Sequence, residues 1–260
     1  MTQRDTLITY GDYFDQDALA RIDSEIGSNK TELYNEPLFI AEKAPHSGVY
    51  TVVGLRDLRD GKICIRDCDN VDTLVHTSSH EIMHDLSYQD KKNDITHSQI
   101  DGHLSTVSRA TEYSGIFRAE TTRTLFDNGY ESIERTERNR YLNEGITELY
   151  TIEAMQFRGE YPRFDSYTQE MAWAMQLREK VGSDVMAKAY YGGDTIGLAE
   201  KVNSMSPVEN AWDEINIAIN EYHNSVSVYN RRGDLSIKQR VDSMIEELEP
   251  PKTMGSKRLR

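Results

Sequence analysis

The residues best able to do chemistry lie in Ser79-His80-Glu81-Ile82-Met83-His84-Asp85. On a helix, His80 and His84 are four residues apart and share one face, one turn above the other. Two imidazole nitrogens at about 2.0–2.1 Å can then share one zinc ion. Glu81, next to the first histidine, is placed to act as general base on a water at that ion.

A catalytic zinc takes three protein ligands and keeps a fourth position open. The third candidate is Glu144, in Leu142-Asn143-Glu144-Gly145-Ile146-Thr147-Glu148. Asn143 reads as an N-cap, which puts Glu144 in the first turn of a helix and Glu148 one turn later on the same face. Glu148 is suited to accept the remaining N–H of a ligand histidine and fix its tautomer. Asp85 either shares that orienting role or lies on the helix surface.

Together these strings resemble the gluzincins, the group of zinc peptidases that includes thermolysin, neprilysin and the zinc aminopeptidases. The Asn143-Glu144-Gly145 string matches the aminopeptidase branch, and the acidic residue four positions later matches thermolysin and neprilysin. The resemblance implies a zincin-like fold, one catalytic zinc held by His80, His84 and Glu144, and hydrolysis of a peptide or protein substrate. It covers only the two motif helices. Fifty-nine residues separate His84 from Glu144, a gap of the length that neprilysin-like enzymes use. No Gly-x-Met-x-Asn exopeptidase string lies upstream. The resemblance also calls for a donor to the developing oxyanion, and His223, Tyr190 and Tyr191 are the candidates. His76 reads as a helix-start histidine, because two turns separate it from His84 by about 11 Å. His97 and His103 are alternative ligands with poorer local context.

Other readings carry different chemistry. One is a metal-held interaction module or peptidase relic. Another is a narrowly specific protease of toxin or effector type, with its cleft gated by an insertion. A di-iron carboxylate site would need a second Glu-x-x-His, which Glu144 does not begin.

These residues need elements to position them. The 260 residues, 37% hydrophobic and 28% charged, suffice for a buried core. The patterning predicts an α+β chain. A helix over 17–26 is followed by strands over 37–41, 49–55 and 62–66, the last two joined by a turn at Gly61. The active helix starts at Asn70 or Asp72 and runs to about Tyr88. The stretch 89–128 is polar and unassigned. Helices follow over 130–140, 143–157, 166–181, 183–191, 195–205, 207–223 and 235–248. One catalytic domain over 1–250 accommodates all of this, with sheet and active helix over 1–90, a polar insertion over 91–142 and a helical lobe over 143–250. The basic tail 251–260 is expected to be disordered. An open strand at 49–55 or 62–66 is the expected seat for a substrate backbone.

The net charge of −14 argues against nucleic acid or an anionic membrane as partner. No run of about 18 apolar residues occurs, and Met1 to Asp5 lacks a secretory pattern. A cytoplasmic location is the expectation, with export by another route left open. Cys64 and Cys68 are too few for a disulfide framework and read as free thiols.

Overall fold

The run Ile63-Cys64-Ile65 is buried at all three positions, as a central strand covered on both faces requires. In the computed structural model, which describes residues 31–43, 52–56, 62–67, 70–100, 103–157, 167–226 and 233–249, this run forms β3 (Ile63–Arg66). It pairs in parallel with β1 (Thr31–Tyr34) and antiparallel with β2 (Gly54–Arg56). Among the described residues the order β1-β3-β2 leaves β2 at the edge. The expected strand at 62–66 is therefore central and offers no open edge, which corrects half of the substrate-seat expectation. The 37–41 strand is also corrected. Those residues are helical, Glu36–Leu38 leading into a π-turn at Phe39–Lys43. Asn35 caps the turn through its side chain to Leu38 N at 3.1 Å, and proline is tolerated in a first turn. Phe39 packs with the buried Cys64 in a small second core. The predicted helix at 17–26, Cys68 and the 251–260 tail lie outside the described residues.

Helix α1 (Val71–Leu86) carries the His-Glu-x-x-His run. Asn70 caps it, its side chain accepting from Thr73 N at 3.1 Å. After α1 the polar stretch becomes a four-stranded antiparallel meander: β4 (Gln89–Ile100), β5 (His103–Ser114), β6 (Phe117–Phe126) and β7 (Glu131–Arg138). The helix predicted at 130–140 is thus mainly strand. Its Glu and Arg residues mimic helical i,i+4 spacing, but pairing with β6 and the Arg123–Glu131 ion pair hold it extended.

The root of this sheet is bound to the body. Tyr88 N donates to Tyr190 O at 2.9 Å, Gln89 Nε2 donates to His84 O at 2.7 Å, and Ile116 enters the main core. Farther out, residues 91–97 of β4 are exposed.

Six helices complete the described fold: α2 (Arg140–Phe157), α3 (Thr168–Val181), α4 (Ser183–Gly192), α5 (Thr195–Met205), α6 (Ala211–Ser225) and α7 (Leu235–Glu246). Their apolar faces meet in one core through Ile146, Trp173, Leu177, Tyr190, Ile215 and Val241, which Met83 and Leu86 of α1 join. The architecture is mixed α+β. Among the described residues, no helix is long and apolar enough to cross a membrane.

Candidate metal centre

Helix α2 faces α1, and the polar residues of the two helices meet there. Glu144 Oε2 lies 3.2 Å from His80 Nε2 and 3.1 Å from His84 Nε2. Among the described residues these are the one trio of possible ligands whose atoms all lie within 4.8 Å of one another. Ligands bound at about 2.0–2.1 Å stand about 3.3 Å apart along a tetrahedron's edge. The observed separations fit that cage.

The outer nitrogens of both imidazoles are held by α2. His80 Nδ1 is 2.9 Å from Glu148 Oε2. His84 Nδ1 is 3.4 Å from Thr147 Oγ1. Thr147 donates to Asn143 O at 2.8 Å, which leaves its oxygen lone pairs for His84 and for the Tyr190 hydroxyl at 2.8 Å. With each Nδ1 donating, each Nε2 turns its lone pair toward the ligand cluster. This is the donor set that a zinc ion, or another divalent ion of similar preference, accepts.

Without an ion the cluster is an ion-pair network. Burial disfavours charge on His80, but its hydrogen bonds to Glu144 and Glu148 prevail and push its pKa up to about 10. Burial acts against ionised Glu144 too, yet the two histidines hold its carboxyl well below the usual range. Glu148 is lowered in the same way, its hydrogen bonds from His76 and His80 overriding burial.

Glu81 is buried and lies outside the ligand group. Its carboxylate rests against β2: a Cβ on Gly54 would sit 2.9 Å from Glu81 Oε1 and 2.5 Å from Thr77 Cγ2. Glycine lets the edge strand lie this close to α1.

Tyr167 forms another wall, and no spacing rule in the sequence pointed to it. Its ring stacks on His80 at 5.8 Å. The charge of Glu144, with burial and Glu81 adding to it, raises its pKa well above the ordinary phenol value. Its backbone is left-handed at φ 51°, a conformation costly for a non-glycine residue and common where side chains are aimed at a site. Helix α3, which Tyr167 starts, is pressed onto α2 at Gly145, where a Cβ would stand 2.4 Å from the Glu170 carbonyl.

The remaining candidates fall in different places. Tyr190 and Tyr191 are fully buried. Their hydroxyls engage Thr147 and Met83 Sδ, the latter at 3.1 Å, behind the two helices that carry the cluster. His223 Nδ1 pairs with Glu170 Oε1 at 2.9 Å. Its ring stacks on Tyr141 at 3.6 Å and lies 6.3 Å from Tyr167, so Tyr167 separates it from His80. Asp85 is buried, while the orienting partners of the two ligand histidines are Glu148 and Thr147. His97 is on β4, 3.2 Å from Thr106 Oγ1, outside the ligand group. His103 begins β5 opposite Ile100. His76 is a buried partner of Glu148 rather than a helix-start residue. Asn143 is inside α2, which begins at Arg140. Comparison with known proteins finds no matching family, no matching curated protein and no matching solved structure.

Proposed function

We propose that this chain hydrolyses peptide bonds with a zinc ion held by His80, His84 and Glu144. The observation that carries the reading is Glu81: a buried carboxylate beside the ligand trio, outside it, and facing an edge strand. A purely structural zinc site needs no such base and closes its fourth position with protein. On this reading β1 to β3 with α1 form the zincin-like part of the fold.

The ion, when bound, supplies a Lewis acid that polarises the scissile carbonyl and makes a water acidic enough to react near neutral pH. Glu81 takes a proton from that water as its oxygen attacks the carbonyl carbon. As the C–N bond breaks, Glu81 passes the proton to the leaving nitrogen. Tyr167 keeps its phenolic proton and donates it in a hydrogen bond to the oxygen on which charge develops. Such a donor contributes about 2.7–4 kcal/mol to lowering the barrier. The edge of β2 that no described strand pairs with adds the substrate as a further strand. The β4–β7 sheet, rooted on both ligand helices, favours a protein substrate met over a wide surface.

The test is Glu81→Gln in zinc-loaded protein assayed on a proteome-derived peptide library. Zinc content should stay within about twofold while turnover falls at least about 10²-fold. Full activity in Glu81→Gln would overturn the assignment. Absence of any cleavage by the wild type would favour an interaction module instead.

A further inference from the structure

Helix α1 carries histidines at positions 76, 80 and 84, and the facing α2 carries Glu144 and Glu148. In space they alternate. His76 Nε2 is 2.9 Å from Glu148 Oε1. Glu148 Oε2 is 2.9 Å from His80 Nδ1. His80 Nε2 and His84 Nε2 then meet Glu144. The ladder has two rungs of similar composition, but only the rung at Glu144 gathers three ligand atoms tightly enough for an ion.

The rung at Glu148 needs another explanation. His76 is 1% exposed and Glu148 also 1%. A buried imidazole is a costly way to fill space, and an apolar residue would pack there without needing a partner. What His76 provides is a second donor whose Nε2 spans the carboxylate, hydrogen-bonded to Oε2 at 3.2 Å and 2.9 Å from Oε1. The terminal torsion of a glutamate is broad, so one donor fixes one oxygen and leaves the plane free to turn. A second nitrogen within reach of both oxygens fixes the plane.

We propose that His76 is a positioning residue of the metal centre. It locks the Glu148 carboxylate so that Oε2 stays on His80 Nδ1, which keeps the His80 Nε2 lone pair directed at the ligand cluster. His76 touches neither ion nor substrate. The inference rests on the metal-centre reading above, and it extends the motif to His-x-x-x-His-Glu-x-x-His facing Glu-x-x-x-Glu.

A matched pair of amide variants tests it. His76→Gln carries an N–H that reaches the position of the imidazole Nε2, whereas the shorter His76→Asn does not. Zinc affinity is measured on the whole chain by competition with a chromophoric chelator at fixed pH. His76→Asn should weaken zinc about tenfold, the low end for losing an outer-shell partner, and His76→Gln should restore it to within about threefold of wild type. In a Glu148→Gln background the two variants should bind zinc alike, because the group through which His76 acts is gone. Equal affinities of His76→Asn and wild type would overturn the proposal. So would a gap between Asn and Gln that persists in Glu148→Gln, since that is the pattern of simple packing. If wild type takes up no zinc, the metal-centre reading fails and this proposal with it. If wild type binds zinc and only the His76 pattern fails, the metal centre stands alone.

Discussion

Replacing Gly145 by alanine sets two effects of known size against each other. Inside an exposed helix the change should help, because alanine is favoured over glycine by about 0.8–1.0 kcal/mol. Here the new Cβ would stand 2.4 Å from the Glu170 carbonyl and 2.9 Å from Met171 N. Those neighbours are backbone, so no rotamer change relieves the contact, and α3 must move by about 1 Å to reach ordinary contact distance. Overpacking of this kind costs about 1–3 kcal/mol. With backbone as the obstacle the upper end applies, and the net loss is about 2 kcal/mol. For a chain of this size that lowers the melting temperature by about 4–8 °C. The displacement also has an address. It moves the start of α3, with Tyr167 beside His80 and Glu170 beside His223, while the three ligands stay on α1 and α2. Gly145→Ala should therefore hold zinc within about threefold of wild type and lose peptide hydrolysis more steeply. Calorimetry, chelator competition and a peptidase assay on one preparation read all three. A rise in melting temperature, as helix propensity alone would give, would refute the close approach of α2 and α3.

Zinc uptake should depend on pH in a defined direction. His80 in the ion-free site is pushed up to about 10 from 6.5, so at pH 7 an ion must displace its proton; affinity should climb about tenfold per pH unit from 6 to 8 and level off above about 10. Titration calorimetry in buffers of different ionisation enthalpy counts the released proton, and a flat affinity over pH 6–8 would refute the network. The same shift stabilises the ion-free fold below pH 6.5 and is lost as pH rises through the folded value. The depressed Glu144 and Glu148 contribute stability above their ordinary 4.5 and lose it on acidification. The cluster's contribution to ion-free stability, read as wild type against Glu144→Gln, should thus peak between about pH 4.5 and 6.5. Tyr167→Phe keeps the ring on His80 and removes only the hydroxyl, so kcat should fall by about 10²-fold with zinc affinity unchanged; unchanged kcat would return the oxyanion role to another group.

The candidate ligand cluster was legible because it rests on helical spacing. Four-residue intervals put His80 with His84 and Glu144 with Glu148, and both pairs face the same cluster. The helices from α3 to α7 were legible from their apolar periodicity, with ends shifted by a few residues. The β4–β7 sheet was not, because its distal strands face solvent on both sides. Residues such as Asn93, Asp94, Thr96 and His97 carry no apolar alternation to betray a strand. Tyr167 escaped for a different reason. It stands beside His80 through the packing of α3 on α2 at Gly145, and no sequence interval encodes a contact between elements. Tyr190 and Tyr191 precede a Gly-Gly turn, yet both are fully buried with their hydroxyls on Thr147 and Met83, a placement that turn chemistry alone does not encode.

The long gap between His84 and Glu144 also takes on a physical meaning. A chain that leaves a helix end and makes an even number of antiparallel strands returns to the end it left. Four strands fill this gap, so fifty-nine residues of sequence amount to a short step in space. The return is pinned at both ends. Gln89 is tied to His84 O. Asn139 and Asn143 hold Ile116, one donating to its carbonyl and the other accepting from its N–H, each at 3.0 Å. Asn143 is next to the ligand Glu144, and within little more than one turn α2 addresses the sheet root through Asn143, the ligand cluster through Glu144, α3 through Gly145 and the ligand histidines through Thr147 and Glu148. The register of Glu144 against His80 and His84 is therefore set by the sheet's root and by that one turn, and the strands beyond the root can vary in length without moving the site.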